Sequence, residues 1–277
     1  MCYPEHFSGD VANNPWMLDL ENREVDRKRA EAQWIAVYEI LASEGIVYLI
    51  PPTPGLQDQV FTANAGVVIG NDVIVSHHAT APRHGETAAA VIFFRQFSDL
   101  KIHRSPAHFE GEADFKHLHD RVWIGGYGQR STESALQWIG RYFDVEIVPV
   151  QMEDPYLYHL DCLVFPITPT ETLVCTKLLS RAEVKAIGRH TNIVDVTIDE
   201  AFSGITNNTR VGSLVLNGSH IHELQSTSKE YREERDKNRR LEDICAARDL
   251  EARFVNVSEY HKGGALLSCL VMKLRDQ

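Results

Sequence analysis

Tyr158-His159-Leu160-Asp161 runs directly into Cys162-Leu163-Val164-Phe165 and on through Pro166-Ile167-Thr168-Pro169-Thr170-Glu171 to Thr172-Leu173-Val174-Cys175. Two apolar, β-rich segments flank a polar, Pro-containing middle, which is the pattern of a hairpin. An imidazole and a carboxylate stand two positions apart where the first segment begins. If the strand already starts there, period-two alternation turns both side chains to one side. His159 could then hold a proton while Asp161 orients it.

The same layout recurs outward from this stretch. Similar runs begin near Ala65 (AGVVIGNDVIVS), Asp114 (DFKHLHDRVWIGG), Asn208 (NTRVGSLVLNG) and, more weakly, Gly264 (GALLSCLVMKL), at a spacing of about 45 to 55 residues. Helical patterns lie between them over 86–97, 131–143, 180–188 and the long, charged 226–250, each followed by a further short strand (145–150, 194–198, 252–257). Ahead of the first run, 1–17 reads as loop, 26–45 as a helix with apolar residues at Ala30, Trp34, Val37, Ile40 and Leu41, and 46–50 as a buried strand stopped by Pro51-Pro52. Five units of hairpin, helix and strand, the first helix completing the fifth unit, predict an α/β fold in the form of a five-bladed propeller-like ring, one domain over 1–277.

Composition narrows the function classes. Thirty-nine acids against 28 bases, a formal net charge of -11, and no recurring basic stripe argue against nucleic acid or an anionic membrane as partner. No apolar stretch approaches a membrane span and the first 30 residues lack a signal-peptide core, so the expected location is the cytoplasm. Cys2, Cys162, Cys175, Cys245 and Cys269 are odd in number and unpatterned in spacing, which describes neither a disulfide framework nor a zinc ribbon. His77-His78, His117-x-His119 and His220-x-His222 keep a zinc hydrolase in view, although none belongs to an HExxH motif.

In a ring of equivalent units, equivalent positions converge on one end. The residues just ahead of the hairpins are Asn64 in FTANAG, Glu110 and Glu112 in FEGEAD, His159 with Asp161, Asn207-Asn208, and Cys269 after Gly263-Gly264. Residues dispersed over about 200 positions would thereby meet.

FTANAG, FEGEAD, GYGQRS (126–131), YHLD and KGGALLSC (262–269), taken in order, resemble the guanidine-modifying or pentein superfamily of arginine deiminases, dimethylarginine dimethylaminohydrolases and amidinotransferases. MCYPEHF (1–7) and NNPWM (13–17) look more narrowly like its arginine dihydrolase branch, which forms ornithine. The resemblance covers nearly the whole chain and itself implies a five-bladed propeller. It implies Cys269 as nucleophile, His159 as general acid and base, and Glu110 as the carboxylate that orients His159 or grips a guanidinium, with Glu112 competing for that part and Asp114 closing the motif. It further implies that Asp161 and Asn64 bind the guanidinium, and that Asn14, Arg83 and Arg130 hold the substrate's amino and carboxylate ends. The implied reaction is hydrolysis of a small guanidino compound, arginine first, with no metal or other cofactor. A homo-oligomer is expected. Citrulline-forming enzymes and a catalytically silent binding member, like the translation-factor branch of the fold, are the alternatives. Ala265 replaces the family's third glycine, and Leu266-Leu267 make the approach to Cys269 apolar.

Overall fold

The computed structural model describes residues 1–274. Two helices come first, α1 (Pro15–Asp19) and α2 (Arg27–Glu44). Four modules follow, each an antiparallel hairpin, a helix and a third strand. They are β1 (Gly66–Ile69), β2 (Asp72–Val75), α3 (Glu86–Phe94) and β3 (Lys101–Arg104); then β4 (Phe115–His119), β5 (Val122–Tyr127), α4 (Glu133–Phe143) and β6 (Glu146–Gln151). The third comprises β7 (Val164–Thr168), β8 (Glu171–Val174), α5 (Arg181–Ile187) and β9 (Asn192–Asp195). A short α6 (Ile198–Phe202) leads to β10 (Asn208–Val211), β11 (Leu214–Gly218), α7 (Lys229–Ala246) and β12 (Glu251–Val255), and α8 (Ser258–His261) precedes the C-terminal segment.

In every module the middle strand pairs antiparallel with the first and parallel with the third, giving four mixed three-stranded sheets. A parallel return needs a crossover, and the helix supplies it. Local chemistry sets the helix starts: Thr132, Ser180, Thr197 and Ser228 cap α4, α5, α6 and α7 by accepting backbone N–H groups. The apolar faces pack between successive modules. Val67 and Ile74 meet Phe115, Leu136 and Ile139, while the largest cluster joins Ile124 and Val148 to Leu173, Ile187, Val215 and Leu241. Trp34, Val37 and Leu41 of α2 pack on Leu214, Leu216, Tyr260 and Leu270. Each fully buried aliphatic side chain contributes about 1.5–3 kcal/mol.

The fifth unit differs from expectation. The run near Gly264 forms no hairpin; Gly264 turns the backbone at φ +72° and Ser268–Leu270 is one 3-10 turn. In place of a fifth module, α2 packs with Tyr260 and Leu270, and an isolated parallel bridge joins Cys2 to Ile50, which follows α2. Stretch 46–50 is therefore not a buried strand. Only Ile50 is paired and buried, while Ile46 is 76% exposed and Tyr48 and Leu49 are exposed as well, because Pro51-Pro52 end any ladder after one bridge. Within 1–17, Pro15 at the first helical position and Asn14 as cap start α1 in what reads as loop. The strand expected over 194–198 ends at Asp195, since Thr197 and Glu200 form a capping box that begins α6. No helix among the described residues is long and apolar enough to cross a membrane.

Candidate active site

Three of the four hairpins are entered through a 3-10 turn: Thr62–Asn64 before β1, Gly111–Ala113 before β4 and Leu160–Cys162 before β7. The C-terminal turn Ser268–Leu270 joins them. Asn64 ends the first turn, Glu110 and His159 precede the second and third, and Cys269 lies within the last. His159 and Asp161 are thus not alternating strand residues. His159 caps the turn and Asp161 lies within it, and the carboxylate paired with His159 is Glu110: its Oε2 lies 2.8 Å from His159 Nε2. Asp161 faces the Cys269 turn instead, its Oδ2 accepting the Ser268 hydroxyl at 2.6 Å.

Glu110 is fully buried. Its Oε1 accepts the Ala79 N–H at 3.1 Å and lies 3.7 Å from the Arg130 guanidinium. Burial alone would raise its pKa, but the His159 hydrogen bond and the charge of Arg130 outweigh that and hold the carboxyl well below its usual range. Glu112 drops out of the competition, because its Oε2 accepts the Lys273 N–H at the surface. Asp114 braces the next turn: Oδ1 accepts the Leu160 N–H at 3.1 Å and Oδ2 the Ser131 hydroxyl at 2.6 Å, so the segment carrying His159 is fixed from the second module. Burial pushes Asp114 up to about 6.

A pocket partly open to solvent is lined by Asn13, Asn14, Asp58, Phe61, Asn64, Arg83, Arg130, Tyr158, His159, Gly263, Ala265 and Cys269. Six of the eight residues expected at the site line it, with Glu110 behind His159 and Asp161 behind the Cys269 turn. Arg83 is buried and its donors have protein acceptors: Nε and one terminal nitrogen bind Glu86 at 2.9 and 2.7 Å, and the other terminal nitrogen binds Asn64 Oδ1 at 3.1 Å. Burial would lower the Arg83 pKa, but Glu86 outweighs it and keeps the guanidinium charged. Arg83 therefore fixes the Asn64 amide, leaving Nδ2 to donate to Glu110 O at 3.2 Å, 3.3 Å from His159 Nε2. Arg130 donates to Asn13 O at 2.8 Å and stacks over Tyr158, 4.7 Å from the ring centre. Asn14 donates to Gly263 O and caps α1. Burial, then the charge of Asp161, push the Cys269 thiol up to about 12.

Several cavity residues escape a reading of the sequence. Asp58, whose carboxyl accepts Asn13 Nδ2 at 2.5 Å, is raised in pKa by burial and adds a carboxyl group to the wall. Its only signal is the polar triplet Gln57-Asp58-Gln59 ahead of Val60-Phe61. Tyr158 holds Gly264 O through its hydroxyl at 2.7 Å. Among the described residues the histidine pairs form no metal-holding group: His119 lies against Asp120 and the His190 carbonyl, while His78 is buried beside Glu86 and Glu110 and pushed by burial down to about 3.

A thiol and an imidazole paired with a carboxylate, set with polar and charged groups around one small pocket, have the chemistry that nucleophilic attack on a small polar ligand requires. No protein-family model matches the chain. It is 33% identical over 173 residues to the bifunctional arginine dihydrolase/ornithine cyclodeaminase AgrE of Nostoc sp., a match covering 60% of this chain and 24% of that longer protein. An uncharacterized protein of Caenorhabditis elegans is 30% identical over 277 residues, 99% of this chain and 92% of that one. The structure of the product-bound N-terminal domain of ArgZ, an arginine dihydrolase from the ornithine-ammonia cycle in cyanobacteria, superposes with a TM-score of 0.87 at 26% identity, covering 100% of this chain and 96% of that domain. The chain belongs to the guanidine-modifying (pentein) superfamily, which includes arginine dihydrolases and dimethylarginine dimethylaminohydrolases.

Proposed function

We propose that this protein is a cysteine-dependent hydrolase of guanidino compounds, acting on the C–N bonds of a linear amidine, and that it converts arginine to ornithine, two ammonias and carbon dioxide. The observation that carries the reading is one cavity shared by Cys269 and His159, with Glu110 directly behind the imidazole. We infer further that residues 1–277 act as one catalytic unit and that the four modules, with α2 and the chain ends as a fifth, surround the cavity as a five-bladed propeller.

A guanidinium carbon is a poor electrophile because resonance spreads its charge, so a soft nucleophile held in line is needed. Cys269 Sγ forms the bond to that carbon, His159 protonates the departing nitrogen, and ammonia leaves a covalent amidino-thioether. His159 then takes a proton from water, which adds to the same carbon; the C–S bond breaks and a ureido product results. In the second round Sγ attacks the ureido carbon, the remaining ammonia leaves, and water converts the thiocarbamate to a carbamate that loses carbon dioxide. Glu110 keeps the imidazole in line and stabilises its cation. Asp58, Arg130 and Asn14 suit the zwitterionic end of an amino acid, and Arg83 acts through Asn64.

Asn64 favours the two-step outcome over citrulline release. Its oxygen is committed to Arg83, so the group it turns toward Glu110 and His159 is a neutral NH2, which can serve a ureido oxygen as well as the first tetrahedral species. Acid quenching during arginine turnover, followed by mass spectrometry of the Cys269 peptide, tests the covalent step. An arginine-derived adduct on Cys269 is expected; an adduct on another cysteine contradicts the assignment.

A further inference from the structure

The turn that carries Cys269 is tied to three modules at once. Thr62 Oγ1 from the first donates to Leu270 O at 2.8 Å, Asn207 Oδ1 from the fourth accepts the Ser268 N–H at 2.8 Å, and Asp161 Oδ2 from the third accepts the Ser268 hydroxyl at 2.6 Å. Ser268, Asn207 and Asp161 are all buried. Among the described residues Asp161 Oδ1 has only the weak thiol donor Cys162 at 3.7 Å, and the Ser268 hydroxyl is the strongest donor they offer this carboxylate. The charge of Asp161 acts on the adjacent Cys269.

We propose that Ser268, with its backbone pinned by Asn207, is a positioning residue that acts through Asp161, tempering the negative charge this carboxylate presents to a cation beside Cys269. The inference rests on the proposed guanidino hydrolysis for its purpose, since a guanidinium is the cation concerned. It makes Ser268 a specificity determinant. A full anion would favour the cationic substrate over the neutral ureido intermediate, and a carboxylate already accepting a hydroxyl discriminates less between them.

Two small alkylating agents of the same shape separate charge from access: cationic 2-chloroacetamidine and neutral 2-chloroacetamide. With each, Cys269 Sγ bonds to the methylene carbon, chloride leaves, and the thiol proton passes to buffer. The ratio of the two second-order rates, read from the Cys269 peptide, reports the attraction of a cation without any turnover. Ser268→Ala is expected to raise the ratio about fivefold, Ser268→Thr to preserve it, and Asp161→Asn to lower it about tenfold. With arginine as substrate, Ser268→Ala should also lower the yield of ornithine relative to citrulline, and Ser268→Thr should restore it. A loosened turn would change both labelling rates together, so an unchanged ratio in folded Ser268→Ala overturns the proposal. Should that variant not fold, an unchanged ratio in Asp161→Asn overturns it equally. If wild type hydrolyses no guanidine while the ratios move as expected, this inference stands and the proposed function falls.

Discussion

At the scale of single residues, Cys269 rests as a neutral thiol. Its pKa is pushed up to about 12 by burial and by Asp161, so the thiolate is a small minority at neutral pH. A guanidinium placed beside it would offset Asp161 and favour ionisation. Two pH profiles should therefore separate. Alkylation of Cys269 by neutral iodoacetamide is expected to rise about tenfold per pH unit from pH 7 to 10, while kcat for arginine stops rising well below that range. Coincident profiles would show that the substrate does not ionise the thiol. His159 must be protonated to expel ammonia and neutral to activate water, so kcat should follow a bell-shaped pH curve that His159→Asn abolishes. Cys269→Ser should fold and lose about 10³-fold or more in kcat, measured by ammonia release.

At the scale of elements, the turns ahead of the hairpins place the chemistry, and one glycine sets how closely they approach. Gly111 adopts φ +64°, and a Cβ there would lie 2.8 Å from the carbonyl oxygens of Ala63 and Gly66. Gly111→Ala should cost about 2–3 kcal/mol in denaturant unfolding and lower kcat more than it raises KM, because Glu110 is the next residue. On α7, Lys237 donates to Glu234 at 2.8 Å and to Gly218 O at 2.7 Å, both partners of the ion pair being buried. Lys237→Ala strands Glu234 and should destabilise the fold by about 3 kcal/mol with kcat little changed; equal stability would refute the structural role.

Hairpins and crossover helices were legible at this scale because their periodicities are local. Alternation in 65–76 and capping at Ser180 need no knowledge of the rest of the chain. The turns were not legible. Leu160-Asp161-Cys162 is short and flanked by apolar residues, and hydrogen bonds from Asp114 and Ser268 make it a turn, both partners lying far away in sequence. For the same reason Asp161 was paired with His159 by proximity in sequence, whereas Glu110, 49 residues earlier, holds the imidazole.

For the whole molecule, one cavity draws walls from all along the chain: Asn14, Asp58 and Asn64 near the start, Arg130 and His159 in the middle, Cys269 near the end. Cys269, His159 and Asn64 could be named from ordered motifs, since the family resemblance ties them together. Asp58 and Tyr158 could not, because a buried acid or phenol looks like a surface residue until tertiary contacts enclose it. The proposed two-step outcome also belongs to this scale, as it depends on the whole site retaining a neutral intermediate. Asn64→Asp should place a second anion beside Glu110 and Arg83, weaken the hold on the ureido group, and shift the product of arginine turnover towards citrulline, as read by amino-acid analysis.

The most direct measurement is the stoichiometry of wild-type protein acting on arginine, with ammonia, ornithine and citrulline quantified together. The account predicts two ammonias for each ornithine and citrulline only as a transient. Citrulline as the sole end product, with one ammonia for each, would contradict it.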